Sequence, residues 1–84
     1  MRRVDITVGT IVFSKAGRDK KKMLLTIRVE GNYAYVCDGL LRRVEKPKKK
    51  KLIHLQKTNY IAEIDSDNIT NSQVRRILAD YRPL

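Results

Sequence analysis

Residues 10–57 contain several short runs rich in β-branched, aromatic and other apolar residues, separated by tight-turn signals, and this rhythm constrains the fold most. Thr10–Lys15 is the first strand candidate, with Ile11, Val12 and Phe13 in succession. Met23–Glu30 alternates, placing Leu25, Ile27 and Val29 on one face and Thr26, Arg28 and Glu30 on the other. Gly31-Asn32 tolerates positive φ at both positions and predicts a two-residue turn into a third strand, Tyr33–Cys37. Asp38-Gly39 is a second hairpin signal, which predicts a fourth strand over Leu40–Val44. Pro47 and the contiguous lysines after it predict an extended, solvated loop over Lys46–Lys51. Leu52–Lys57 then resumes as a fifth strand, with Ile53 and Leu55 sharing a face. An open sheet of this size exposes its edges and closure removes them, so the expected fold is mainly β, a small five-stranded SH3-like barrel.

The remainder has a different texture. Residues 1–57 form the expected barrel, and residues 58–84 a polar linker followed by a helix over about 71–82. Thr70-x-x-Gln73 reads as a capping box. Val74, Ile77, Leu78 and Tyr81 then fall on one helical face, and Pro83 is the stop. A lone helix of about ten residues is marginal in water, so it needs the barrel or a partner to dock on.

Charge narrows the function. The 84 residues carry 19 Lys and Arg against 9 Asp and Glu, a net charge of +10. Residues 1–57 hold 16 basic and 5 acidic side chains, a balance of +11, and residues 58–84 hold 3 and 4, a balance of −1. The positive excess therefore belongs to the expected barrel, where it favours association with a polyanion. It falls in two clusters. The first is Lys15, Arg18, Lys20, Lys21 and Lys22 around Gly17, which serves the turn and aims the cations, with close backbone approach to phosphate as its alternative role. The second is Arg42, Arg43, Lys46, Lys48, Lys49, Lys50 and Lys51. Adjacent lysines suit phosphate tracking, whereas arginine's planar fork suits paired contacts or stacking. If Leu40–Val44 is a strand, Arg42 and Arg43 point to opposite faces.

Other chemistry is poorly supplied. There are no paired carboxylates with a cleft, no nucleophile–base set and no phosphate-cradling glycine loop, so no enzyme and no catalytic residue is expected. One histidine, His54, and one cysteine, Cys37, do not make a metal cluster, and neither metal nor cofactor is expected. His54 is a candidate RNA contact or a structural hydrogen-bonding group, and Cys37 reads as a small buried hydrophobe that excludes an intrachain disulfide. Glu63, Asp65 and Asp67 lack the calcium-loop pattern and read as solvated linker. Tyr33 and Tyr35 share a face and serve packing or base stacking, and Phe13 reads as core. No apolar stretch follows Met1-Arg2-Arg3, and no run approaches the roughly 18 apolar residues of a membrane span. The expectation is a soluble, cytoplasmic, monomeric protein without a membrane partner.

Val8-Gly-Thr-Ile-Val-Phe-Ser-Lys-Ala-Gly-Arg-Asp-Lys-Lys-Lys22 resembles the KOW motif, a strand, a glycine loop and a second alternating strand. Tyr35-Val-Cys-Asp-Gly39, Leu41-Arg-Arg-Val-Glu-Lys-Pro-Lys-Lys-Lys-Lys51 and His54-Leu-Gln-Lys-Thr-Asn59 extend the likeness over residues 8–59. The chain is similar to small bacterial KOW-domain RNA-binding proteins, and through them to KOW-class large-subunit ribosomal proteins of archaea and eukaryotes. The resemblance makes Gly17 the loop glycine of the motif, and Gly39 closes the Tyr35–Gly39 segment. The resemblance implies an SH3-like barrel, noncatalytic binding to structured RNA, with ribosomal RNA or the ribosome as partner, and a place in translation. Transcription elongation factors share the motif, so a transcription-linked KOW module is an alternative. A protein-interaction adaptor using the helix residues Leu78 and Tyr81 is another.

Overall fold

The computed structural model describes residues 5–17 and 20–81. Arg18, one of the expected RNA contacts, and Pro83, the expected helix stop, lie outside the described residues. The chain is mainly β: strands β1 (Thr10–Ser14), β2 (Met23–Glu30), β3 (Tyr33–Cys37), β4 (Lys48–Lys51) and β5 (Leu55–Ile61), followed by helix α1 (Asn71–Asp80). The pairings between these strands are antiparallel, in the order β4-β3-β2-β1-β5. The sheet bends into a small barrel whose end strands, β4 and β5, follow one another through a single 3-10 turn, Leu52–His54.

Both faces of the sheet are covered, which explains the three consecutive apolar residues of β1. Val12 packs inside the barrel with Ile6, Leu24, Ala34, Val36 and Leu55. Ile11 faces the other way, into a second cluster with Leu25, Ile27, Cys37, Ala62, Val74 and Leu78. Helix α1 supplies Val74 and Leu78 to that cluster, and fully burying an aliphatic side chain contributes about 1.5–3 kcal/mol. Thr70 caps the helix. Its hydroxyl accepts from the Gln73 N–H while the Gln73 side chain accepts from the Thr70 N–H. Phe13, expected in the core, is only half-buried.

Strand β2 departs from its expected alternation. Its register against β3 slips by one residue between Thr26 and Arg28, a bulge at Ile27. The extra residue turns Val29 away from the face of Leu25 and Ile27 and against the barrel interior, opposite Ala34. Strands β1 and β5 also slip, between Thr10 and Val12. There the Thr58 hydroxyl donates to the Ile11 carbonyl at 2.7 Å, satisfying an acceptor at the irregularity.

The larger corrections lie between β3 and β5. Residues 40–44 form no strand. The Asp38 carboxylate accepts from the N–H groups of Leu40 and Arg42, at 2.8 and 2.9 Å, and the Arg42 carbonyl accepts from the N–H groups of Asp38 and Gly39. An aspartate that captures the amides ahead of it makes a compact turn in place of a two-residue hairpin. The fourth strand is the lysine run itself, Lys48–Lys51, paired residue for residue with Val36 back to Tyr33. Ile53 and Leu55 do not share a face: Ile53 sits in the 3-10 turn at 65% exposure, and Leu55 is buried. Strand β5 runs on to Ile61, through residues expected to begin a linker.

Candidate nucleic-acid interface

Strand β4 has no apolar side chain of its own, so its neighbours hold it in place. The β3 ladder supplies its backbone partners, and Lys48 and Lys50 stand opposite Val36 and Ala34, on the barrel-interior side. Lys49 and Lys51 stand opposite Tyr35 and Tyr33, on the outer face. The Lys49 ammonium lies 4.5 Å from the Tyr33 ring centroid, within cation–π range. Leu52 N–H donates to the Asn32 carbonyl at 2.9 Å, which fixes the end of the strand against the β2–β3 turn.

Lys50 is the exception among the β4 lysines. It is half-buried, and its ammonium donates to the Ser14 hydroxyl at 2.7 Å and to the Ala16 carbonyl at 2.9 Å. The Ser14 hydroxyl also donates to the Ala16 carbonyl. Lys50 thereby ties the outermost strand, β4, to the far end of β1, where no backbone ladder joins them. A second tie runs from the Lys15 N–H to the His54 carbonyl, 2.8 Å. The first basic loop is thus fastened to the lysine strand through Lys50 and to the 3-10 turn after it through His54.

The loop is shaped to leave β1 and return beside it. Gly17 has φ +77°, and a Cβ there would meet nothing nearer than the Lys50 Nζ at 3.7 Å, so backbone conformation and not crowding is what requires glycine. The Gly17 carbonyl accepts from Lys20 N–H, and the Ser14 carbonyl from Lys21 N–H. Lys21 itself has φ +70°, an uncommon value for a residue with a side chain.

The result is an open depression of about 470 Å³ lined by Gly17, Tyr33, the four β4 lysines and His54. Lys48, Lys49 and Lys51 are exposed there, as is His54. A neighbouring depression of about 410 Å³ is lined by Leu41, Arg42, Arg43, Lys46, Pro47 and Lys48. Lys48 belongs to both, so the second cluster is one continuous surface that meets the first loop at Gly17. Lys15, Lys20 and Lys21 are exposed and Lys22 half-buried, and none of their side chains lines either depression.

The arginines are more engaged than the exposed lysines. Arg43 donates to the Glu45 carboxylate at 3.1 Å. Glu45 also accepts from the Asn71 side chain, whose oxygen accepts from the Val44 N–H. The Arg43 hydrogen bond, reinforced by that from Asn71, holds the Glu45 carboxyl below its ordinary value. Arg42 and Arg43 do not alternate across a strand, because residues 40–44 form a turn. Gly39 has φ +79° and packs on the first turn of α1, where a Cβ would fall 2.5 Å from the Asn71 carbonyl oxygen. The Gly39 carbonyl accepts from Arg75 at 2.7 Å. Gly39 is therefore the seat of the helix rather than the tip of a hairpin.

Two residues critical to this geometry, Ser14 and Asn71, carried no signal in the sequence, because their partners lie 36 and 26–27 positions away. Cys37 is fully buried, and burial first, then Asp38 and Glu45, pushes its thiol up to about 12. Asp65 folds onto its own segment, accepting from the Asp67 N–H and the Asn68 side chain. Among the described residues, no three His, Cys, Asp or Glu side chains gather as a metal site, and no helix is long and apolar enough to cross a membrane.

The chain matches no protein-family model and no curated protein.

Proposed function

We propose that the protein is a noncatalytic RNA-binding module that grips structured RNA through the joined surface of the Gly17 loop, strand β4 and the Arg42–Lys46 turn. The observation that carries this reading is the clasp of Lys50 on Ser14 and Ala16. It spends one cation on structure and thereby fixes Lys48, Lys49 and Lys51 beside the first loop before any ligand arrives. Counterion release rewards several cations held along one backbone, and a strand already fixed in place loses little backbone freedom on binding. Lysines presented as point charges suit phosphates, and A-form RNA offers its shape and backbone more readily than its bases. The likeness to KOW-domain proteins supports ribosomal RNA as the partner, in the cytoplasm and in translation.

Binding of a structured ribosomal RNA fragment, measured across a salt series, tests the reading. The expected log–log slope is about −4 or steeper, for some five or six phosphates. Salt-insensitive binding, or none, overturns it. Crosslinking in cells then tests the ribosomal assignment, which fails if the attached RNA is spread evenly over all transcripts.

The adaptor reading draws on a different observation than the helix. Leu78 is buried against the sheet, but Leu40 and Leu41 stand 64% and 75% exposed on the turn beside Arg42. Leu40→Ser, outside the cationic depressions, leaves RNA affinity unchanged under the leading reading and abolishes partner capture under this one.

A further inference from the structure

One feature of the cationic face is not cationic. Ile53 is 65% exposed two positions after the last of the four lysines, in the 3-10 turn between β4 and β5. It lines a notch of about 420 Å³ with Asn32, Tyr33, Lys51 and Leu52. This notch adjoins the lysine-lined depression and shares Tyr33 and Lys51 with it. The hydrogen bond from Leu52 N–H to the Asn32 carbonyl joins its two walls, so it is set by backbone and not by side-chain drift.

A phosphate row gives no reason to hold an isoleucine and a tyrosine at its end. Phosphates are fully served by ammonium groups, and apolar surface beside them gains nothing from a duplex whose bases are stacked away. An unpaired base is different. It presents an apolar π-face for an aromatic ring and a polar edge for an amide, and it is tethered to the phosphates that the lysines attract. The notch supplies each counterpart: the Tyr33 ring, the Ile53 side chain, the exposed Asn32 and the Lys51 charge. Lys49 over the Tyr33 ring holds that ring in place and keeps a cation beside it.

We propose that this notch receives one unpaired nucleobase of a structured RNA, packed against Tyr33 and Ile53, while β4 holds the adjoining phosphates. The inference rests on the RNA-binding reading and deepens it: the ligand is a helix interrupted by a bulge or ending in a loop, not an uninterrupted duplex.

The test compares two hairpin RNAs of the same stem, one perfectly paired and one carrying a single bulged 2-aminopurine. The full chain is expected to bind the bulged RNA about 5- to 100-fold more tightly, the range set by one base stacked on an aromatic side chain, and to change the 2-aminopurine fluorescence on binding. Ile53→Ser, which lies outside the lysine depression, is expected to bring the ratio of affinities close to one without altering binding to the paired stem. Tyr33→Leu is expected to bring the ratio close to one whatever its effect on the paired stem, while Tyr33→Phe keeps the preference. Ile53→Ser changes an exposed position and keeps the test sound if Tyr33→Leu disturbs the fold. Equal affinity of the wild-type chain for the two RNAs overturns the notch proposal alone, as does a loss from Tyr33→Leu and Ile53→Ser that falls equally on both. Binding to neither RNA overturns the RNA-binding reading beneath it.

Discussion

The second basic cluster divides at Pro47 into two regions that use charge in opposite ways. In the turn before it, Arg43 is matched by Glu45, Glu45 is held by Asn71, and Gly39 lies against the first turn of α1. In the strand after it, Lys48, Lys49 and Lys51 are exposed, and Lys50 alone is drawn into the protein. The turn is stabilised by its contacts with the helix, whereas the strand is stabilised by the β3 ladder and gives its side chains to solvent. Charge on a folded surface is therefore no single quantity. An arginine inside a hydrogen-bonded network supports architecture, and a lysine on an edge strand supports association.

The contrast is most severely tested at Gly39. Gly39→Val places a β-branched side chain at φ +79° and against the Asn71 carbonyl. It is expected to destabilise the fold by about 3 kcal/mol or more, read as a lower urea midpoint. An unchanged midpoint shows that the turn is not seated on the helix. The strand is expected to respond the other way. Replacing Lys48, Lys49 and Lys51 together by Gln lowers the magnitude of the RNA salt slope by about 2–3 and the affinity by about 10- to 100-fold near 0.1 M salt. Stability changes by no more than about 0.5 kcal/mol per site, the usual range for surface positions. A large fall in the unfolding midpoint would erase the distinction between the two regions.

The smallest effect belongs to Glu45. Its folded carboxyl is held below the ordinary value of 4.5, first by the Arg43 hydrogen bond, so its contribution is present above that value and is lost as pH falls through the folded one. The melting temperature of Glu45→Gln should lie slightly below wild type at neutral pH and converge with it as pH falls through the lowered folded value. A gap that persists into acid assigns the effect to the Asn71 contact rather than to charge.

Legibility followed the range of the interactions. Strands β2 and β3, the Gly31-Asn32 turn and the Thr70–Gln73 cap are written in adjacent residues, and they appear at or near their expected bounds. The lysine strand was opaque because nothing in Lys48–Lys51 favours a strand; its register is imposed by Tyr33–Val36. Asp38-Gly39 was ambiguous because the same pair serves a hairpin or a side-chain-capped turn, and Asn71 and Arg75, some thirty residues on, favour the latter. The face of Val29 was hidden by the bulge at Ile27, which period-two reading does not detect. Of the candidate interface, the cations were legible in composition, but their fastening through Ser14 and the notch beside Ile53 needed three dimensions.

The position of β4 at the end of the sheet carries a consequence of its own. An outermost strand presents amides and carbonyls that another chain's strand can zip onto, the first step toward aggregation. The three exposed ammonium groups of Lys48, Lys49 and Lys51 make that approach repulsive for a second copy of this molecule while leaving it attractive to an anionic polymer. The edge thus discriminates by sign of charge alone: it is closed to its own kind and open to the opposite.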